Sequence, residues 1–150
     1  MTAPSAGGSI GLIRKAVKAQ IETNLNRETT VYAYGQAEQA YPCIEILPAQ
    51  GEAVGYFKTF GDGGLGDLRL DLHIYTTAAD PVSAQIALDD YLSIGGDNQS
   101  SVVDAILVDR TLGGVVEDCV PLVAIYGPLG ANPATAVIPL QIIFRKDARA

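Results

Sequence analysis

Between residues 67 and 77, Leu68, Leu70, Leu72 and Ile74 alternate with Arg69, Asp71, His73 and Tyr75. Successive side chains of a strand point to opposite faces, so this period of two predicts a strand with one face buried and one face wet or at an interface. Elsewhere the period lengthens. Ile10, Ile13, Val17 and Ile21 recur at spacings of three and four, the apolar stripe of a helix capped by Ser9 and running to about Asn24. Arg14, Lys15 and Lys18 are read as the solvated face of that helix. Asp80 can cap a second helix with Pro81 at its first position, Ala84, Leu88, Tyr91 and Leu92 on one face, and Gly95-Gly96 as its stop. A shorter third helix starts at Ser100 or Ser101 and carries Val102, Val103, Ile106 and Leu107.

The remaining segments read as strands. Residues 29–34 are β-branched and aromatic. Residues 43–47 lie between Pro42 and Pro48, which lack the amide donor and so mark strand ends. Residues 54–60 form a further, less regular candidate. A strand over 115–126 follows a Gly113-Gly114 turn, and a last one over 136–145 follows the 127–133 loop. Gly61-Asp62-Gly63-Gly64-Leu65-Gly66, with four glycines in six positions, reads as a flexible loop. The order helix, strands, helix pair, strands predicts an α+β domain: an antiparallel or mixed sheet with helices packed on one face. Regular strand–helix alternation, which a doubly wound parallel fold needs, is missing. The 150 residues show no linker and no internal repeat, so 1–150 is read as one domain with residues 1–8 a flexible N-terminal segment.

Composition sharpens this picture. Hydrophobic residues make up 48% and charged residues 18%, enough apolar material for a core and too little charge for a disordered chain. The mean hydropathy of +0.20 is high for a soluble monomer and points to apolar surface buried against other subunits. A net charge of -7 argues against binding nucleic acid or an anionic membrane by bulk electrostatics. Arg145, Lys146 and Arg149 read as a charged tail. No apolar run approaches the ~20 residues of a membrane span, and residues 1–9 lack the charged start and apolar run of a signal peptide, so a soluble, non-secreted chain is expected. Cys43 and Cys119 form neither a CxxC pair nor a zinc spacing. Two buried free thiols fit a reducing cytoplasm, and a disulfide stays open.

Candidate chemistry is sparse. The single histidine, His73, shares a strand face with Asp71. Such a pair can be a base with its orienting group, or two metal ligands. With no matching Cys or His nearby, a polar strand face that meets a neighbour is the stronger reading. The glycine-rich segment lacks the GK[ST] ending of a phosphate-binding loop and precedes a strand, whereas a phosphate cradle relies on helix amides. Asp62 and Asp67 do not meet calcium-loop spacing. The segment is therefore read as a loop that orders on assembly. Asp89 and Asp90 point about 100° apart on a helix and form no tight dyad. Neither GxSxG nor HExxH occurs. No catalytic, cofactor-binding or metal-ligating residue is assigned. The interface candidates are Gly61, Asp62, Gly63, Gly64, Leu65 and Gly66 with the outward strand residues Arg69, Asp71, His73 and Tyr75.

From about residue 67 to 144 the chain also resembles a known family. The strand ends in His73-Ile74-Tyr75-Thr76-Thr77, and the helix reads Ser83-Ala84-Gln85-Ile86-Ala87-Leu88-Asp89-Asp90-Tyr91-Leu92. Next come the Ser-Ser-Val-Val-Asp-Ala-Ile stretch over 100–106 and Asp109-Arg110-Thr111-Leu112-Gly113-Gly114. A strand ending at Tyr126-Gly127 and a last apolar strand follow. The order and these motifs resemble tail terminator proteins of phages with long non-contractile tails (the family of the lambda minor tail protein U), particularly those infecting actinobacteria. The N-terminal helix and the Pro42-Cys43-Ile44 strand fit the same pattern, and the Thr-Leu-Gly-Gly turn is its most telling piece. The resemblance implies a non-enzymatic virion protein, assembled in the bacterial cytoplasm, that forms a hexameric ring. It also implies docking onto tail-tube protein, arrest of tube growth, and a face for the head–tail connector proteins. An acidic lumen would pass DNA without specific binding, because phosphates are repelled. The competing readings are another connector, tail-completion or tail-tube protein, and a small-ligand or enzymatic domain using Asp71 and His73.

Overall fold

The alternating segment is the spine of a seven-stranded sheet. The computed structural model describes residues 8–56, 65–94, 101–128 and 130–145. In chain order these form α1 (Gly8–Asn24), β1 (Thr30–Tyr32), β2 (Cys43–Pro48), β3 (Val54–Gly55), β4 (Leu65–Thr76), α2 (Pro81–Leu92), α3 (Val102–Leu107), β5 (Asp118–Pro121), β6 (Ile125–Tyr126) and β7 (Ala134–Arg145). The sheet runs β1-β2-β4-β7-β5, with β3 also on β4 and β6 also on β7. β1 lies parallel to β2 and every other pair is antiparallel, so the sheet is mixed. β4 and β7 pair along their whole length, from Leu65 opposite Arg145 to Thr76 opposite Ala134.

The period of two decides which face is covered. Leu68, Leu70, Leu72 and Ile74 of β4 and Ala136, Ile138, Leu140 and Ile142 of β7 are all but inaccessible. They form one cluster with Ile13, Val17 and Ile21 of α1, Ala84, Leu88 and Tyr91 of α2, and Val102, Ala105 and Ile106 of α3. All three helices thus lie on one face of the sheet, as the two-layer α+β reading requires. Thr76 ties the layers by donating its hydroxyl to the Ala84 carbonyl at 2.7 Å.

The second and third helices start with the expected chemistry, whereas Ser9, expected to cap the first, lies inside α1. Asp80 accepts from the Ser83 amide at 2.9 Å, with Pro81 in the first turn. Ser101 accepts from the amides of Val103 and Asp104. The second helix stops at Leu92, where Ser93 leaves the helical conformation, so it ends before Gly95-Gly96, which lie outside the described residues. Residues 1–7 also lie outside, and Gly8, expected in the flexible segment, is instead the first residue of α1.

Four expectations are corrected. Arg14 is not on a solvated face: it is 9% exposed, and its Nη1 donates to the Ala33 and Ile46 carbonyls at 2.9 and 3.0 Å. The strand expected over 29–34 is cut to three residues. The strand expected over 115–126 is two short strands, β5 and β6, separated by 122–124. Pro139 explains the break. Its carbonyl accepts from the Leu122 amide, so this residue's hydrogen-bonding side faces the edge strand, where proline has no N–H to give. Between Pro121, opposite Leu140, and Ile125, opposite Val137, the edge therefore carries one residue more than β7, as in a β-bulge. Finally, the last strand, expected over 136–145, starts two residues earlier, at Ala134, and lies between β4 and the β5/β6 pair.

Candidate functional site: the open face of the sheet

The opposite face of the sheet carries no helix among the described residues. Its floor is the other half of the alternation: Asp67, Arg69, Asp71, His73 and Tyr75 from β4, and Thr135, Val137, Pro139, Gln141 and Ile143 from β7. The structure therefore brings Arg69, Asp71, His73 and Tyr75 onto one surface, as the sequence predicts. It divides the glycine-rich candidates. Gly61, Asp62, Gly63 and Gly64 lie outside the described residues. Leu65 and Gly66 are not loop residues but the first pair of β4, opposite Arg145 and Phe144. Gly66 points to the covered face, where a Cβ would collide with the Phe144 ring. A glycine here makes room for an aromatic across the strand pair.

One end of the open face is roofed by residues 33–41. Glu45 stands in register with His73 on the neighbouring strand and is 4% exposed. Its carboxylate accepts from the Gln36 amide at 2.7 Å, which draws the loop over the sheet. A Cβ on Gly35 would sit 3.2 Å from Leu47, so the loop backbone lies close against β2. Tyr41 and Tyr75 meet with ring centroids 6.2 Å apart. Burial, followed by hydrogen bonding to Glu45, raises the Tyr75 hydroxyl above its ordinary pKa. Beneath the same roof, burial and then the Glu45 charge push the Cys43 thiol up to about 11. Cys119, on β5, is pushed up to about 12, chiefly by burial. Both thiols are free, and two strands separate them in the sheet, which excludes a disulfide between them.

The other end of the open face is a concavity of about 530 Å³. Arg69, Asp71, His73, Val137 and Pro139 make its floor, and Leu47, Glu52, Leu122 and Ile125 stand around it. Apolar groups form the side made by the broken edge: Leu122 and Ile125 are 47% and 55% exposed, and Val123, between them in the chain, is 62% exposed beside the hollow rather than lining it. Arg69 faces Asp67 of its own strand at 3.8 Å, with about half of its side chain in solvent. Asp71 and His73 lie along the floor, two residues apart on one strand. Among the described residues no three His, Cys, Asp or Glu side chains are arranged to hold a metal ion. The arrangement is a broad hollow with an apolar side and a few charges, open to solvent.

Sequence reasoning missed Glu45, Leu122, Val123, Ile125 and Pro139. Ile125 and Pro139 sit in segments read as regular strands, and the detour that exposes residues 122–125 depends on which strand Pro139 faces. Glu45 gave no local signal, because its approach to His73 depends on a register set across 28 residues of chain.

The turn after α3 is built as its sequence suggests. The Asp109 carboxylate accepts from the amides of Thr111 and Gly113 and from the Thr111 hydroxyl. These bonds hold its pKa below the ordinary aspartate value. Leu112, Gly113 and Gly114 follow at φ of 52, 73 and 89°, and glycine adopts this region without steric cost. No family model and no curated protein matches the chain. No helix among the described residues is long and apolar enough to cross a membrane.

Proposed function

We propose that this chain is a ring-forming structural subunit of a phage tail, acting as a tail terminator. A hexameric ring would cap the tail tube, stop its growth and offer the surface that joins the head. The observation that carries this reading is the open face of the sheet. A two-layer domain whose second sheet face carries no helix among the described residues, with an apolar hollow beside a bulged edge, is suited to burial against other subunits. The order of elements and the Thr-Leu-Gly-Gly turn support the same reading through their resemblance to tail terminators. The lumen is proposed to be acidic, so that DNA passes unbound; a ring whose lumen is lined with Arg or Lys would overturn that part.

The test is solution mass by light scattering behind a sizing column over a range of concentrations. A terminator gives one discrete ring, alone or when tail-tube protein is added. Open-ended polymers would reassign the chain as a tube protein. A monomer indifferent to tail proteins would sink the structural reading. It would favour the second one, a small-ligand site in the concavity, for which Asp71, His73 and Arg69 on one floor are the supporting observation.

A further inference from the structure

Side chains on a sheet face that carries no helix among the described residues are expected to be exposed, yet part of this face is sealed. Cys43 and Glu45 belong to it, in register with Tyr75 and His73, and they are 0% and 4% exposed. The cover is the roof of residues 33–41, none of which is itself buried. The roof is held by polar and aromatic contacts. The Gln36 amide donates to Glu45 and the Ala40 amide to the Tyr32 hydroxyl at 3.1 Å. Tyr41 lies beside Tyr75, and Tyr34 lies against the Arg14 guanidinium. We infer that the roof is a hinged strap: residues 34–41 open and close as a unit about fixed ends while the rest of the fold stays intact, and the closed strap is what hides Cys43.

The ends of the strap are anchored in the fold. Before it, Val31 is buried in β1 and Arg14 holds the Ala33 carbonyl. After it, the Pro42 carbonyl accepts from the Thr30 amide at 3.2 Å, and β2 begins at Cys43. Between these points the backbone belongs to no helix or strand, so the strap can swing without breaking a strand pair. Water can replace its hydrogen bonds, and opening it takes no side chain out of the core. Segments with few buried apolar contacts open locally far more often than the whole fold unfolds. The restoring force is the carboxylate beneath. Glu45 tolerates burial while the Gln36 amide and the Tyr75 hydroxyl satisfy it, and that condition favours the closed strap. Opening uncovers Cys43, Glu45 and Tyr75 and joins them to Leu47, His73 and the hollow in one floor. The strap therefore sets how much of the open face can be reached, whether or not the chain forms a ring.

The two free thiols provide the test, because Cys119 belongs to the core between sheet and helices and Cys43 does not. The full chain is labelled with iodoacetamide, at concentrations where the rate is proportional to reagent, and each thiol is followed by peptide mass spectrometry. Each rate is divided by that of the same thiol in the urea-unfolded chain, which removes differences in intrinsic reactivity. Cys43 should label at least about a hundredfold faster than Cys119 on this scale. Its rate should be nearly flat in urea below the unfolding transition, since local opening exposes little surface, whereas that of Cys119 should climb steeply. Ile106→Val, a change in the buried core, should speed Cys119 about three- to tenfold and leave Cys43 unchanged. Amide hydrogen exchange names what moves: the Gln36 amide should open with the same equilibrium constant as Cys43, and the Thr30 amide should stay protected longer. Equal rates for the two thiols, with an equal response to Ile106→Val, would overturn the strap, since Cys43 would then be reached only by global unfolding. Labelling of native Cys43 at its unfolded rate would overturn the closed state. Thr30 opening in step with Gln36 would overturn the fixed ends.

Discussion

Arg14 shows how much one side chain can do against its expected role. It follows Ile10 by four positions and precedes Val17 by three, so helical geometry sets it at the border of the apolar stripe, not behind it. Its guanidinium reaches two backbone carbonyls and lies 4.3 Å from the Tyr34 ring centre. Arginine suits this site because its planar fork can satisfy several acceptors and stack on an aromatic at once. Arg14→Met should keep the bulk but strand buried acceptors, costing about 2–4 kcal/mol in urea unfolding. Arg14→Lys, with a point charge in place of the fork, should recover only part of that loss. At Gly66 the opposite need rules. Gly66→Ala forces the Phe144 ring aside and should cost about 1–3 kcal/mol. Pairing it with Phe144→Leu should restore much of the loss, which thermal unfolding would read directly.

At the scale of elements, stability concentrates where chain direction changes. Ser101 is 2% exposed and caps two amides of a helix only six residues long. Too short to hold itself, that helix depends on its cap and its packing. Ser101→Ala should cost about 1 kcal/mol, seen as a lower urea midpoint with an unchanged slope. The carboxylates of Asp80 and Asp109 act alike as acceptors at a helix start and a turn. The pKa of each is lowered, chiefly by hydrogen bonds from Ser83 for Asp80 and from Thr111 and Gly113 for Asp109. The sign follows from the acceptor role. Protonation removes the acceptor, so these bonds contribute fully above the ordinary aspartate pKa of about 3.9 and are lost as pH falls through the lower folded values. Stability should therefore hold from neutral pH to about 4.5 and decline below it. The double variant Asp80→Asn, Asp109→Asn should flatten that decline, and chemical denaturation across the pH range checks it.

At the scale of the whole molecule, the two layers are unequal in finish. Helices and inward strand residues form a closed core, while the outward side of the sheet is roofed at one end by residues 33–41 and hollow at the other. Opening the roof should be local. Glu45→Gln weakens the bond to Gln36 without touching the core, so amide hydrogen exchange should speed up in residues 33–41 and little elsewhere. Sequence alone could rank the faces of β4, and so could place Arg69, Asp71, His73 and Tyr75 together. It could not say that Glu45 would join them or that a bulge would expose Leu122, Val123 and Ile125.

What the sequence by itself determined is whatever depends on neighbours a few residues away. The α+β class, the alternation of β4, the stripes of α1 and α2, the caps at Asp80 and Ser101 and the glycine turn at 113–114 are all of this kind. Helical and strand periods, capping and backbone freedom act over one or two turns of chain, so the residue string carries them in full. What only the tertiary structure decided is whatever depends on pairing across the fold. The strand order, the burial of Arg14, the register of Glu45 with His73 and the split of the last edge at Pro139 all arise where distant segments meet. A proline's missing donor, a buried charge or a glycine's empty space takes its meaning from the residue opposite, and that residue is chosen by the packing of the whole chain.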